Sequence, residues 1–170
     1  LYDEHTRLIT EFNEPGFEMG EEDFRRFLAL LSDKTADSKY VVFSGGLPAG
    51  CPENTYQRCL QTLSHHKTVL DSAGNALLHG IKEKPFLIKP NLPEIEAIMK
   101  KELRTLRALR DAALFLMGYG AQNVVISMGK YGAMLVEHEG SYFAPAIPVA
   151  ARSTVGAGDA MLGGLLYGLS

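Results

Sequence analysis

Short β-rich runs alternate with amphipathic helical stretches along nearly the whole chain, and this rhythm limits the fold more than any single motif does. Tyr40-Val41-Val42-Phe43, Thr68-Val69-Leu70-Asp71, Phe86-Leu87-Ile88 and Val124-Val125-Ile126 read as buried strands, and residues 6–12 as an extended segment. Between them lie helical patterns. Phe24, Phe27, Leu28 and Leu31 fall at i, i+3, i+4 and i+7, and Tyr56, Cys59, Leu60 and Leu63 share another face. A short helix over residues 75–78, one through Ile95, Ile98 and Met99, and one over residues 105–117 complete the set. Residues 133–137 and 141–143 form an antiparallel pair around Glu139-Gly140. Repeated strand, loop and helix units of this size predict an α/β fold, a mainly parallel sheet covered by helices on both faces. In such sheets ligands bind beyond the carboxyl ends of the strands. The polar and glycine-rich segments 44–50, 71–75, 89–94, 127–132 and 156–159 all fall at that edge.

Composition removes several functional classes. A chain of 170 residues, 46% hydrophobic and 22% charged, is long enough for one substantial core and too short for two comfortable domains. Its formal net charge is −3 and no basic run is longer than Lys100-Lys101, so nucleic acid and anionic membranes are disfavoured as partners. Cys51 and Cys59 form no C-x-x-C, and the five histidines no H-E-x-x-H, so neither zinc nor a disulfide framework is signalled. Reduced thiols in a cytoplasmic protein are expected. No run of 18 apolar residues occurs, and the amino end has no secretory pattern.

Thr154-Val155-Gly156-Ala157-Gly158-Asp159 opens the apolar stretch Ala160-Met161-Leu162-Gly163-Gly164-Leu165-Leu166. Gly156 and Gly158 let backbone approach a ligand closely, and N–H groups at a helix start suit phosphate oxygens. Asp159 beside such a cradle would repel phosphate, so it suits accepting a proton from an attacking hydroxyl. A plain helix start with an acidic first turn fits the pattern equally. No G-x-x-x-x-G-K-[ST] stretch occurs, and the next glycine, Gly163, falls outside the G-x-G-x-x-G register, which disfavours P-loop and Rossmann sites.

Three further segments carry candidate chemistry. Lys89-Pro90-Asn91-Leu92-Pro93-Glu94 follows a buried strand: Lys89 could meet a phosphate, and Asn91 and Glu94 a hydrated magnesium ion. Equally, Asn91 could be the N-cap of a helix whose Glu94 closes a capping box. Ser127-Met128-Gly129-Lys130-Tyr131-Gly132 could lie against the phosphates or ribose of a nucleotide, or be a tight turn. Ser44-Gly45-Gly46-Leu47-Pro48 could present backbone N–H groups to a sugar hydroxyl or phosphate.

These loops, in this order, resemble the PfkB sugar kinases of the ribokinase-like superfamily. The resemblance rests on Ser153 with the turn from Thr154 to Asp159, on Lys89-Pro90-Asn91 with Glu94, on Ser44-Gly45-Gly46-Leu47-Pro48, on Asp71-Ser72 and on Val125-Ile126-Ser127-Met128-Gly129. It implies that Asp159 is the base, that Gly156, Ala157 and Gly158 form an anion hole, and that Lys89, Asn91, Ser127, Gly129, Gly132 and Thr154 contact ATP. It also implies that Asn91 and Glu94 organise Mg²⁺ and that Ser44, Gly45 and Gly46 hold the sugar phosphate. Glu11-Phe12-Asn13-Glu14-Pro15-Gly16-Phe17-Glu18 and the stretch from Met161 to Leu169 are most similar to members converting fructose 1-phosphate to fructose 1,6-bisphosphate. Tagatose 6-phosphate and fructose 6-phosphate kinases, or a noncatalytic sugar-phosphate-binding fragment, are the alternatives. Gly46 departs from the family, which usually has serine there. Family members are much longer, so residues 1–170 are expected to be an incomplete domain lacking the substrate and lid region before it and the end of the adenine pocket after it. A homodimer is compatible with the family.

Overall fold

The computed structural model describes residues 16–149 and 154–170. The extended segment expected at residues 6–12 lies outside them, as does Ser153. The chain order is α1 (Glu21–Lys34), β1 (Tyr40–Ser44), α2 (Thr55–Thr62), β2 (Lys67–Asp71), α3 (Gly74–Ile81), β3 (Leu87–Ile88), α4 (Leu92–Met99), α5 (Leu106–Gly118), β4 (Val124–Ser127), β5 (Ala133–Glu137), β6 (Gly140–Ala144) and α6 (Ala157–Gly168). A single turn of 3₁₀ helix, Gly129–Tyr131, separates β4 from β5.

The strands form one sheet in chain order, β1 to β6. β1 to β4 are parallel and β4, β5 and β6 antiparallel, so the expected mixed sheet is present. Alternation along the strands divides the core. Val41, Phe43, Leu70, Ile88, Val124, Ile126, Met134 and Val136 face one side, where they pack with residues of α1 to α5. Val69, Leu87 and Val125 face the other, where they meet Leu162 of α6. Parallel crossovers share one hand, and a sheet laid down strand by strand in one direction therefore receives its crossover helices on one face. Both faces are covered as expected, but unequally: among the described residues α6 alone lies over the second face, and Val42 there stays 41% exposed.

Local chemistry explains the individual helices. α1 begins on Glu21, Glu22 and Asp23 and ends on Lys34, which suits the helix dipole at both ends. It is fastened to α2 by Arg58, whose guanidinium donates to both Glu21 oxygens (2.7 and 3.0 Å) and lies 4.5 Å over the Phe24 ring. Phe24 is buried, whereas Phe27 of the same sequence stripe is partly exposed and stacks on it. α3 runs three residues beyond the expected stop at Leu78. The added turn includes Gly80, the point where α3 touches β2, and a Cβ there would collide with Leu70 Cδ2. Both cysteines are free thiols, as expected, and burial pushes the Cys59 thiol up to about 11. No described helix is long and apolar enough to cross a membrane.

Candidate active site

Five loops leave the carboxyl ends of β1, β2, β3 and β4 or open α6, and those after β1 and β2 meet the turn of α6. Ser44 ends β1 and Asp159 stands in the first turn of α6, yet Ser44 Oγ donates to Asp159 Oδ1 at 2.9 Å. The helix can begin there because Gly156 takes a left-handed φ of +75°, which turns the chain into α6 without a Cβ penalty. The Ala157 amide closes that turn on the Thr154 carbonyl (3.1 Å), and Ala160 bonds back to Gly156 (2.9 Å). Between them lie the amides of Gly158 and Asp159, in the first turn of α6. N–H groups at the positive end of a helix suit an anion, the chemistry expected of Gly156, Ala157 and Gly158, although the Ala157 amide is already taken up by the turn.

Lys89 completes the charge pattern from below. Its ammonium is buried, pairs with Asp71 Oδ2 at 3.0 Å, and lies so close to the turn that a Cβ on Gly158 would be 3.4 Å from Nζ. The sequence picks out Lys89 as a phosphate contact but gives Asp71 no role. In the fold Asp71 is central: its side chain holds Lys89 and its backbone carbonyl accepts the Gly45 amide (3.0 Å). That second bond alters an expectation, because the Gly45 N–H is already satisfied and, among the described residues, the Gly46 and Leu47 N–H groups are the amides this loop has left to offer. The Gly45 carbonyl is fixed in turn by the Tyr56 hydroxyl, which donates to it at 3.1 Å.

An open cleft of about 530 Å³ lies over these groups, lined by Ser44, Gly45, Gly46, Leu47, Glu53, Asp71, Ser72, Ala73, Asn75, Ala76, Glu94 and Asp159. Glu53 and Asn75, which sequence reasoning misses, bond across it at 2.9 Å. Four of its side chains are carboxylates, and Lys89 neutralises one of them.

Asn91 and Glu94 form the capping box: Asn91 Oδ1 accepts the Glu94 amide at 2.9 Å, and Glu94 Oε2 accepts the Asn91 amide at 2.8 Å. Each keeps a further polar atom, and Glu94 also lines the cleft. Among the described residues no group of three or more His, Cys, Asp and Glu could hold a metal ion. A magnesium ion does not require such a cage, since it retains waters and binds through one or two carboxylates together with substrate phosphates. The oxygen of Glu94 that is free of the cap fits that mode.

Ser127, Gly129 and Gly132 sit on the neighbouring loop and do not line the cleft. β4 is tied to the loop after β3 by the Ser127 amide on the Pro90 carbonyl (3.1 Å) and a bridge between Asn91 and Ser127. Gly129 and Gly132 have φ of +53° and +102°, and a Cβ on Gly132 would strike the Ala144 carbonyl, so the loop demands glycine for its own geometry. The structure therefore divides the expected residues into a cleft group around Asp159 and a second group beyond Lys89 and the glycine turn.

Comparison with known proteins agrees with this arrangement. Residues 4–170 match the model of the pfkB family of carbohydrate kinases. The chain belongs to that family. It is similar to the 1-phosphofructokinase of Escherichia coli strain K12, with 36% identity over 163 residues, 95% of this chain and 52% of that protein. To the 1-phosphofructokinase of Vibrio cholerae it is 39% identical over 171 residues, 97% of this chain and 53% of that protein. Among solved structures, phosphofructokinase-2 from Escherichia coli in complex with substrates and products superposes with a TM-score of 0.84 at 31% identity, covering 98% of this chain and 55% of that one. This pfkB-family chain thus spans about half the length of the curated relatives it matches.

Proposed function

We propose that this chain carries the phosphoryl-transfer half of an ATP-dependent sugar-phosphate kinase that converts fructose 1-phosphate to fructose 1,6-bisphosphate. One observation carries the reading: Asp159, a carboxylate facing an open cleft, follows directly on a glycine turn that has the buried Lys89 ammonium against it. The similarity to two 1-phosphofructokinases supports the choice of acceptor.

In this mechanism the 6-hydroxyl of the sugar lies beside Asp159, which takes its proton as the oxygen attacks the γ-phosphorus of ATP. The transition state is loose and its charge is spread over the phosphoryl oxygens, so positioning and electrostatics outweigh the strength of the base. The Gly158 and Asp159 amides and Lys89 stabilise that charge. Lys130 and the glycines around it belong to the loop facing the nucleotide, and the Gly46 amide meets the sugar phosphate. Glu94 and Asn91 would hold Mg²⁺, which would neutralise charge on the ATP phosphates. A serine at position 46 would fit, since a Cβ there meets nothing within 4 Å.

The test uses the full-length gene product. Asp159→Asn lowers kcat by about 10²–10⁴-fold, the range for a positioned base, and leaves the ATP Kd within about twofold. Near-normal turnover in that variant removes Asp159 from the base role. Wild-type kcat/KM measured on fructose 1-phosphate, tagatose 6-phosphate and fructose 6-phosphate ranks the first highest; a higher value for either of the others reassigns the acceptor.

A further inference from the structure

The Ser44 hydroxyl lies where the sequence expects a contact to the sugar phosphate, yet the fold gives it a different partner. Ser44 Oγ donates to Asp159 Oδ1 at 2.9 Å across 115 residues of chain. The two ends of that bond differ in how firmly they are held. Ser44 closes β1 in register with Asp71 of β2. The next peptide is pinned on both sides, with the Gly45 amide on the Asp71 carbonyl and the Gly45 carbonyl under the Tyr56 hydroxyl. Asp159 is exposed at the start of a helix that rests on a small apolar cluster.

A carboxylate in that position can rotate about two side-chain bonds, and only some rotamers present an oxygen to the cleft. The bond from Ser44 selects among them. It engages Oδ1 and leaves Oδ2, which has no hydrogen-bond partner among the described residues, as the oxygen for an incoming hydroxyl. A fixed donor on a strand end is the kind of support that lets a catalytic group keep its geometry to a fraction of an ångström.

We propose that Ser44 is the positioning residue of the catalytic base: its hydroxyl orients Asp159 so that Oδ2 receives the proton of the acceptor hydroxyl. The Gly46 amide remains the contribution of this loop to substrate binding. The proposal rests on the reading of Asp159 as the base, and the experiment separates the two.

Steady-state kinetics of the full-length gene product, with thermal unfolding as a control, compare wild type, Ser44→Ala, Ser44→Thr, Asp159→Asn and the Ser44→Ala/Asp159→Asn double variant. Ser44→Ala lowers kcat about tenfold, the low end for a hydrogen bond to a charged group because this one is exposed, and leaves KM for ATP and sugar phosphate within about twofold. Ser44→Thr keeps the hydroxyl and restores kcat to within about threefold of wild type, and Ser44→Ala costs nothing further once Asp159 is Asn, because residues acting as one unit are not additive. A raised KM for the sugar phosphate at unchanged kcat returns the hydroxyl to the substrate and overturns the proposal. So do equal losses in both backgrounds. A silent Ser44→Ala beside an inactive Asp159→Asn sinks the Ser44 role alone, whereas an active Asp159→Asn sinks the base assignment and this proposal with it.

Discussion

Lys89 and Asp71 show how a single pair can serve stability and chemistry together. Their side chains are 5% and 15% exposed and meet at 3.0 Å, so both charges have given up most of their water. Breaking such a pair from one side leaves an uncompensated buried charge and costs about 3–5 kcal/mol. Lys89→Met is therefore expected to lower the urea midpoint strongly and to remove turnover. Adding Asp71→Leu to it discards the stranded carboxylate and recovers much of the stability, because a buried ion pair can often be replaced by apolar residues at little cost. Turnover stays absent, since no cation then lies against Gly158. Urea unfolding and kcat measured on both variants check this; recovery of activity in the double variant would show that the ammonium has no part in the chemistry.

At the level of elements, α4 is the clearest case of one segment with two candidate duties. Asn91 and Glu94 close the capping box, and Glu94 also borders the cleft. Serine is as good an N-cap as asparagine, whereas removal of the cap costs about 1 kcal/mol. Asn91→Ser is thus expected to hold the melting temperature near wild type and yet to raise the Mg²⁺ concentration giving half-maximal rate, while Asn91→Ala lowers both stability and rate. An unchanged Mg²⁺ requirement in Asn91→Ser would leave Asn91 as a cap and nothing more. The box was legible because its residues are neighbours in sequence. The strands were legible too, since parallel strands buried on both faces read as continuous apolar runs. The Asp71 partner of Lys89 and the Ser44 partner of Asp159 were not, because each pair joins separate strands or a strand and a distant helix. The run of α3 through Gly80 was not legible for a different reason: only the packed Leu70 side chain shows why a glycine sits inside that helix.

For the whole molecule the decisive fact is the unequal division of the core. The face bearing α1 to α5 holds most of the buried side chains, whereas the other face is organised around Val69, Leu87, Val125 and Leu162. α6 is held by that small cluster and by its two ends. Its carboxyl end receives Lys39 Nζ on the Leu169 and Ser170 carbonyls (3.1 and 2.7 Å) and the Tyr40 hydroxyl on Leu169 (3.1 Å), and its amino end has the Ser44 bond. Each of these four bonds runs to β1 or the residue before it. The element carrying Asp159 is thus stabilised separately from the main core, and local opening draws on the least buried parts of a fold. Leu162 is 3% exposed, and Leu162→Ala removes about 2–5 kcal/mol of packing from that cluster alone. Hydrogen exchange should then show amide protection falling across α6 while β2, α2 and α5 keep theirs, with turnover falling in step because Asp159 loses its placement. Uniform loss of protection through the sheet would instead mean that the two clusters unfold as one unit, and that the site is no more labile than the core beneath it.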